Sequence, residues 1–325
     1  MFSAPPNPTP PPASWRAAGL RYHALGPYLA QQFGCRVQKV SVDAGFGCPN
    51  VDGTLGTGGC LFCNVAGFSP SRRSPASSIT GQIDEGVSRL RRRYGARRFL
   101  AYFQPATNTH APPERLRDVF GEAMAHPDVV GLVIGTRPDC VGEAVLDLLA
   151  ELSQKTWLLV EYGLQSIHDR SLDWLGRRHR YDAFLDAVER SRRRGLRIGA
   201  HVIVGLPGET RGDVQATACE LARLRIHAVK LHNLYVARNT PLAELWSGGE
   251  IKLPDRDAYA DLVVDFLERL HPECVIDRLS ADAPPEYLVA PAWCGEKAAV
   301  RAAIHAELQR RDTWQGRFFP GPAGP

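Results

Sequence analysis

What most constrains this chain is a hydrophobic pattern that switches repeatedly between two periods. Runs at 37–43, 98–104, 129–135, 157–163, 196–204 and 229–235 are short and apolar, continuously or at alternate positions, as strands are. Between them lie sets with helical spacing: Ile83, Val87, Leu90 and Tyr94; Val141, Val145, Leu148, Leu149 and Leu152; Val214, Ala218, Leu221 and Ala222. Further helical segments fall at 26–33, 114–125, 169–175 and 182–194. Six strands alternating with helices predict a parallel sheet with right-handed crossovers. Such a sheet either curls into a partial barrel or lies flat and doubly wound. Both gather functional groups at the carboxyl ends of the strands.

The segment at the carboxyl end of the first strand reads C-P-N-V-D-G-T-L-G-T-G-G-C-L-F-C, from Cys48 to Cys63. Its glycines let the backbone bend and approach a bulky group closely. Three cysteines on such a loop suit a metal ion or an iron–sulfur cluster. In a cubane cluster, three protein ligands leave one iron open to another molecule. Zinc, completed by a nearby His or Cys, is the alternative at this point.

At 325 residues, with 44% hydrophobic and 23% charged, the chain can bury a large core in one domain or two. Eight cysteines are too sparse for a disulfide scaffold. Residues 1–14 are Pro-rich and lack the apolar centre of a signal peptide, and no apolar run is long enough to span a bilayer. The expectation is a cytoplasmic protein that does not engage a membrane. A net charge of +4, carried almost entirely by Arg rather than Lys, permits nucleic acid as a partner without requiring it.

Polar groups recur at the strand ends. Glu161, Gly163 and Gln165 share a face of the fourth strand; His201, Ile203 and Gly205 of the fifth; Lys230, His232 and Leu234 of the sixth. Gln104 ends the second strand and Arg137 follows the third. Buried parallel strands are normally apolar throughout, so the set predicts a polar cavity. Any single member, such as His232, is as well explained by pairing with a neighbour. The turn G-L-P-G-E-T at 205–210 closes the fifth strand, without the Gly-Lys-Ser/Thr of a phosphate loop. Cys35, Cys140, Cys219, Cys274 and Cys294 read as small hydrophobes, with Cys140 the one near a strand end. The Arg runs at 72–73, 91–93, 97–98, 177–180 and 192–194 read as solvated helix faces. Of these, 177–180 is the one placed to meet nucleic acid.

The segment V-S-V-D-A-G-F-G-C-P-N at 40–50, with the rest of the cysteine loop, resembles the YhcC-type branch of the radical S-adenosylmethionine (SAM) superfamily. So do A-Y-F-Q-x-x-T-N-T at 101–109, G-T-R-P-D-C at 135–140 and V-E-Y-G-L-Q-S-I-H-D at 160–169. H-V-I-V-G-L-P-G-E-T at 201–210, K-L-H-N-L-Y-V-x-R-N-T-P-L at 230–242 and D-T-W-Q-G-R at 312–317 complete the set. The radical SAM domain of the Elongator catalytic subunit is a more distant likeness.

The resemblance implies a partial (β/α)6 TIM-type barrel over residues 21–254. A C-terminal helical extension at 255–317 would pack on its open side, with Trp314 and Gln315 near the mouth. Loose tails are expected at 1–20 and 318–325. It further implies that Cys48, Cys60 and Cys63 ligate a [4Fe–4S] cluster whose open iron takes SAM. Gln104 would meet the SAM amino group. Glu161, Gln165 and Ser166 would lie on the strand contacting ribose and carboxylate. Ile203 and Gly205 would pack against adenine, with Leu234 or Val236 supplying the backbone edge beside it. The implied reaction is reductive cleavage of SAM to a 5′-deoxyadenosyl radical that takes hydrogen from a substrate, with an electron from a donor such as flavodoxin or ferredoxin.

The substrate is not named by the residues: tRNA modification and porphyrin-type oxidation are both open, as are the roles of Cys140, His201, Lys230 and His232. Two departures stand out, the long gap between the first two cysteines and His110 where an aromatic Tyr is expected. The rival reading is a zinc-stabilised, Arg-rich RNA-binding protein without catalysis. It accounts for C-x-x-C and the Arg runs, but not for the 205–210 turn or the polar strand ends.

Overall fold

The computed structural model describes residues 14–64 and 78–319. The expected Pro-rich tail lies mostly in residues 1–13, outside the described residues, as do 320–325 and the Arg pair at 72–73. A short helix, Ser14–Ala17, falls inside the stretch assigned to the tail, and Trp15 in it is buried, its indole N–H donating to Pro272 O at 3.0 Å.

The strands expected from periodicity form β1 (Val37–Val42), β2 (Arg98–Phe103), β3 (Val129–Thr136), β4 (Trp157–Gln165), β5 (Arg197–Val204) and β6 (Ala228–Asn233). A two-residue β7 (Val236–Ala237) follows, pairing antiparallel with β9 (Leu288–Ala290). The sheet has one more member than expected: β8 (Val275–Arg278) joins beside β6, giving seven parallel strands in the order β1-β2-β3-β4-β5-β6-β8. V-I-D-R is four residues, too short to show a period, and it lies in the segment expected to be purely an extension.

The sheet is curled rather than flat. Seven strands laid flat would put β1 and β8 about 29 Å apart, at about 4.8 Å per step. Instead Lys39 of β1 reaches Asp277 of β8, Nζ to Oδ2 2.8 Å. The helix Leu25–Phe33 packs on both of these edge strands and fills the gap between them.

Side chains alternate accordingly. One face of each strand meets the outer helices in the main core, where Phe103, Phe120, Tyr162 and Phe184 are fully buried. The other face points into the barrel. Its base is apolar, with Val37, Leu100, Val133, Leu159, Ala228 and Val275 around Leu29. Above this plug the interior turns polar. Helix Arg256–Arg269 packs against Arg211–Arg223 and Lys297–Arg310 on the outside. Gln315 sits at the base and not at the mouth: its amide donates to His271 O and Cys274 O, just before β8 begins, and accepts from His23 N. Among the described residues, no helix is long and apolar enough to cross a membrane.

Candidate active site

The cysteine loop leaves β1 at its carboxyl end and folds back on itself. Val51 N and Asp52 N donate to Cys48 O, Gly59 N to Asn50 O, and Cys63 N to Cys60 O. Gly58 and Gly59 take φ of 87° and 78°, where a side chain is strained, and this turns the chain into the C-x-x-C. The loop is braced by the turn after the short helix Asp169–Trp174, which follows β4. Leu61 N donates to Leu175 O, Asn50 Nδ2 to Gly176 O at 2.9 Å, and Arg178 Nη1 to Leu55 O at 3.1 Å. His110 holds its outer side through Asp52, Nε2 to Oδ2 2.8 Å.

One member of the expected Arg run has a different place from the one its neighbours suggest. Arg177 is only 7% exposed. Its Nη1 donates to Cys60 Sγ at 3.6 Å and its Nη2 to Gly163 O at 2.8 Å. Asn50 Nδ2 reaches the same sulfur at 3.3 Å. A Cβ at position 163 would stand 3.1 Å from Arg177 Nη2, so glycine there makes room for the guanidinium. Arg177 is thus buried against the cysteine loop, with His179 buried beside it at 3.0 Å, and neither is held out as a nucleic-acid contact.

The three cysteines border one cavity of about 200 Å3 at the carboxyl ends of the strands. Gln104, Gln165, Ile203 and Leu234 line it, as do Arg137, His201, His232 and Arg278. Its upper wall is stapled by Asn108, whose amide donates to Phe103 O, Pro105 O and Gly135 O, and Thr107 N donates to Gly47 O below the first cysteine. Arg137 is fixed by Asp139, with contacts of 2.9 and 2.7 Å, and donates to Arg177 O. Glu161, Ser166 and Gly205 are not in the lining. Ser166 Oγ donates to Glu209 at 2.6 Å. Gly205 has φ of 83°, and a Cβ there would stand 2.8 Å from Pro254 Cγ. Cys140 also stands outside the lining.

Glu161 lies beneath the cavity, 1% exposed, at the centre of a buried ionic group that the sequence showed only in part. Lys39 donates to it at 2.9 Å and His201 lies 2.6 Å from its other oxygen. Lys230 lies 3.9 Å away and donates to the Tyr102 hydroxyl. Burial pushes the Glu161 carboxyl up, but Lys39, Lys230 and His201 outweigh it and hold it well below the ordinary range. Burial pushes the Lys230 ammonium down to about 7, with Glu161 partly opposing. Burial and the neighbouring cations lower His201 and His232 as well, so both rings are neutral near pH 7. Lys39, Tyr102 and Asp277 share the inward parity of Val37, Leu100 and Val275. That parity was the available signal.

The site suits an iron–sulfur cluster and a polar ligand. Burial, and after it Cys60 and Cys48, raise the Cys63 thiol to about 12, so three thiolates here need cationic compensation. Donors from Asn50 and Arg177 already face Cys60 Sγ. Asn50 Oδ1, Thr107 Oγ1 and Arg137 Nη1 are buried without a protein partner, and all three residues line the cavity. Among the described residues, no three His, Cys, Asp or Glu donors converge on the position of one metal ion.

Comparison with known proteins gives the same picture. The model described as the radical SAM superfamily matches residues 54–220, and the radical SAM C-terminal domain matches 226–310. An uncharacterized protein YtqA of Bacillus subtilis is 39% identical over 92% of this chain and 93% of its own length. Protein YhcC of Escherichia coli K12 is 37% identical over 83% and 86%. A tRNA uridine(34) acetyltransferase of Methanocaldococcus jannaschii is 28% identical over 49% of this chain and 30% of its own. The structure of an archaeal Elp3 from Methanocaldococcus infernus superposes with a TM-score of 0.63 at 18% identity, over 86% of this chain and 64% of that one, a likeness of fold. With its half-barrel, its cysteine loop and these matches in agreement, the chain belongs to the radical SAM superfamily.

Proposed function

We propose that the protein is an enzyme in which Cys48, Cys60 and Cys63 hold a [4Fe–4S] cluster and the adjoining cavity holds SAM. The observation that carries this is the opening of all three cysteines onto the one cavity that Gln104, Gln165, Ile203 and Leu234 also line. When bound, the cluster and SAM supply one-electron chemistry and a carbon radical for hydrogen abstraction. The chain's own groups position and shield. Arg177 and Asn50 donate to Cys60 Sγ and balance thiolate charge. Gln104 and Gln165 offer amide donors and acceptors to the amino, carboxylate and ribose groups of SAM, and Ile203 and Leu234 give adenine an apolar wall. Glu161 acts from below by fixing His201. Ser166 and Gly205 act through the loops they shape. A flavodoxin- or ferredoxin-like protein is the electron source in this reading.

The substrate class in this reading is tRNA, because the Methanocaldococcus jannaschii relative carries a tRNA in its name. The rival single-zinc reading leaves the polar cavity without a purpose.

The test is anaerobic reconstitution and reduction, followed by quantification of 5′-deoxyadenosine with and without bulk tRNA. Wild-type protein is expected to release it and Cys60→Ala is not. Equal release from both proteins would overturn the proposal.

A further inference from the structure

The cations inside the barrel are not equally satisfied. Lys39 lies 2.9 and 2.8 Å from the carboxylates of Glu161 and Asp277, and Lys230 lies within 4.0 Å of both. Arg278, which ends β8 and lines the cavity, makes no ion pair with a described carboxylate. Its Nη2 instead meets His232, 2.8 Å from Nδ1 and 3.0 Å from Nε2. The His232 ring is neutral, lowered by burial and then by Arg278 itself, so it has a single lone pair and only one of those contacts can be a hydrogen bond. Arg278 Nε is buried with no partner. Asp282, the acid on this side of the lining, is taken up by Lys297 at 2.8 Å. His201 lies beyond His232, ring centroids 5.4 Å apart and ring planes tilted by 36°.

We infer that Arg278, with His232, seats an anionic group of the substrate, a carboxylate or a phosphate. A guanidinium presents a planar fork that matches both groups in a bidentate way, and an unpaired one beside neutral imidazoles draws negative charge. The inference rests on the proposed reading of the cavity. In that reading the methionine end of SAM lies at the cysteines, which follow β1. Arg278 lines the same cavity but makes no described hydrogen bond to the cysteine loop, and its fork is left for the second reactant.

The test uses cluster-loaded, reduced protein saturated with aza-SAM, an analogue with nitrogen in place of the sulfonium, so that the cluster keeps its electron, and inorganic phosphate is the probe. The paramagnetic cluster shortens the 31P relaxation time of any phosphate held in the cavity. Wild-type protein is expected to show this enhancement, saturably. Arg278→Met is expected to lose it by about tenfold or more, and Arg278→Lys, which keeps the charge without the fork, by less. SAM affinity, measured by equilibrium dialysis, is expected to be unchanged in both variants. Should Arg278→Met lose affinity for SAM but not for decarboxylated SAM, Arg278 serves the SAM carboxylate and the inference is overturned. Normal SAM binding with no phosphate enhancement in the wild type overturns it as well. Failure of the wild type to bind SAM at all defeats the underlying reading of the cavity instead. Should Arg278→Met not load a cluster, Arg278→Lys decides alone: phosphate enhancement equal to wild type overturns the inference.

Discussion

Replacing Arg177 with Met removes one positive charge and one donor from the sulfur of Cys60 while keeping most of the side-chain volume. In the structure Nη1 is 3.6 Å from Sγ in a buried setting. Two unit charges at that distance interact by about 5 kcal/mol at an effective dielectric of about 20, and sharing of the negative charge over several atoms cuts this several-fold. The remaining 1–2 kcal/mol corresponds to about 50–100 mV for a one-electron couple. A cation stabilises the more negative, reduced cluster, so its loss moves the potential downward. The expected result for Arg177→Met is a midpoint potential about 50–100 mV more negative than wild type, read by redox titration with EPR detection. Arg177→Lys, with the charge kept, is expected to fall between. A loaded Arg177→Met protein with an unchanged potential would refute the reasoning, because a merely structural Arg177 has no reason to act on the electron.

Three further outcomes follow from the buried residues. Glu161→Ala leaves Lys39 and His201 facing a hole, and removing one partner of a buried pair costs about 3–5 kcal/mol, measurable by urea denaturation, whereas an exposed acid costs almost nothing. Lys230 titrates near 7 in the fold and at 10.5 in the free side chain, so between those values the unfolded chain binds the extra proton; stability rises with pH through that window, and Lys230→Met is expected to flatten the rise in melting experiments at pH 7 to 10. At Gly131 a Cβ would stand 2.4 Å from Trp157 O, a backbone atom, so Gly131→Ala is expected to cost about 1–3 kcal/mol by the same assay, where Gly121→Ala, with open space around it, costs nothing.

The sequence made legible those parts of the structure whose signals are periodic or dense. Alternation set the inward face of β4, β5 and β6, and Glu161, His201, Lys230 and His232 do point into the barrel. Gln104 at the end of β2 and the three cysteines after β1 border the same cavity. What could not be read depends on contacts between distant segments. Arg177 stands in a run of basic residues that looks like a solvated surface, and only the fold reveals a sulfur and a carbonyl waiting for its guanidinium. β8 carries two charges in four residues, so neither its strand character nor the pairing of Asp277 with Lys39 shows in its pattern. Gln315 lies near the end of a conspicuous motif, yet it bonds to backbone at the base of the barrel, a position set by the path of the last helix. His110, where an aromatic ring was expected, buttresses the cysteine loop through Asp52.

The most direct measurement is the EPR spectrum of the reconstituted, reduced protein before and after addition of SAM. A site in which Cys48, Cys60 and Cys63 leave one iron open gives a [4Fe–4S]+ signal that shifts when SAM is added, and substitution of any one of the three cysteines removes the signal. Colourless protein carrying one zinc per chain, or a cluster signal indifferent to SAM, would contradict the account.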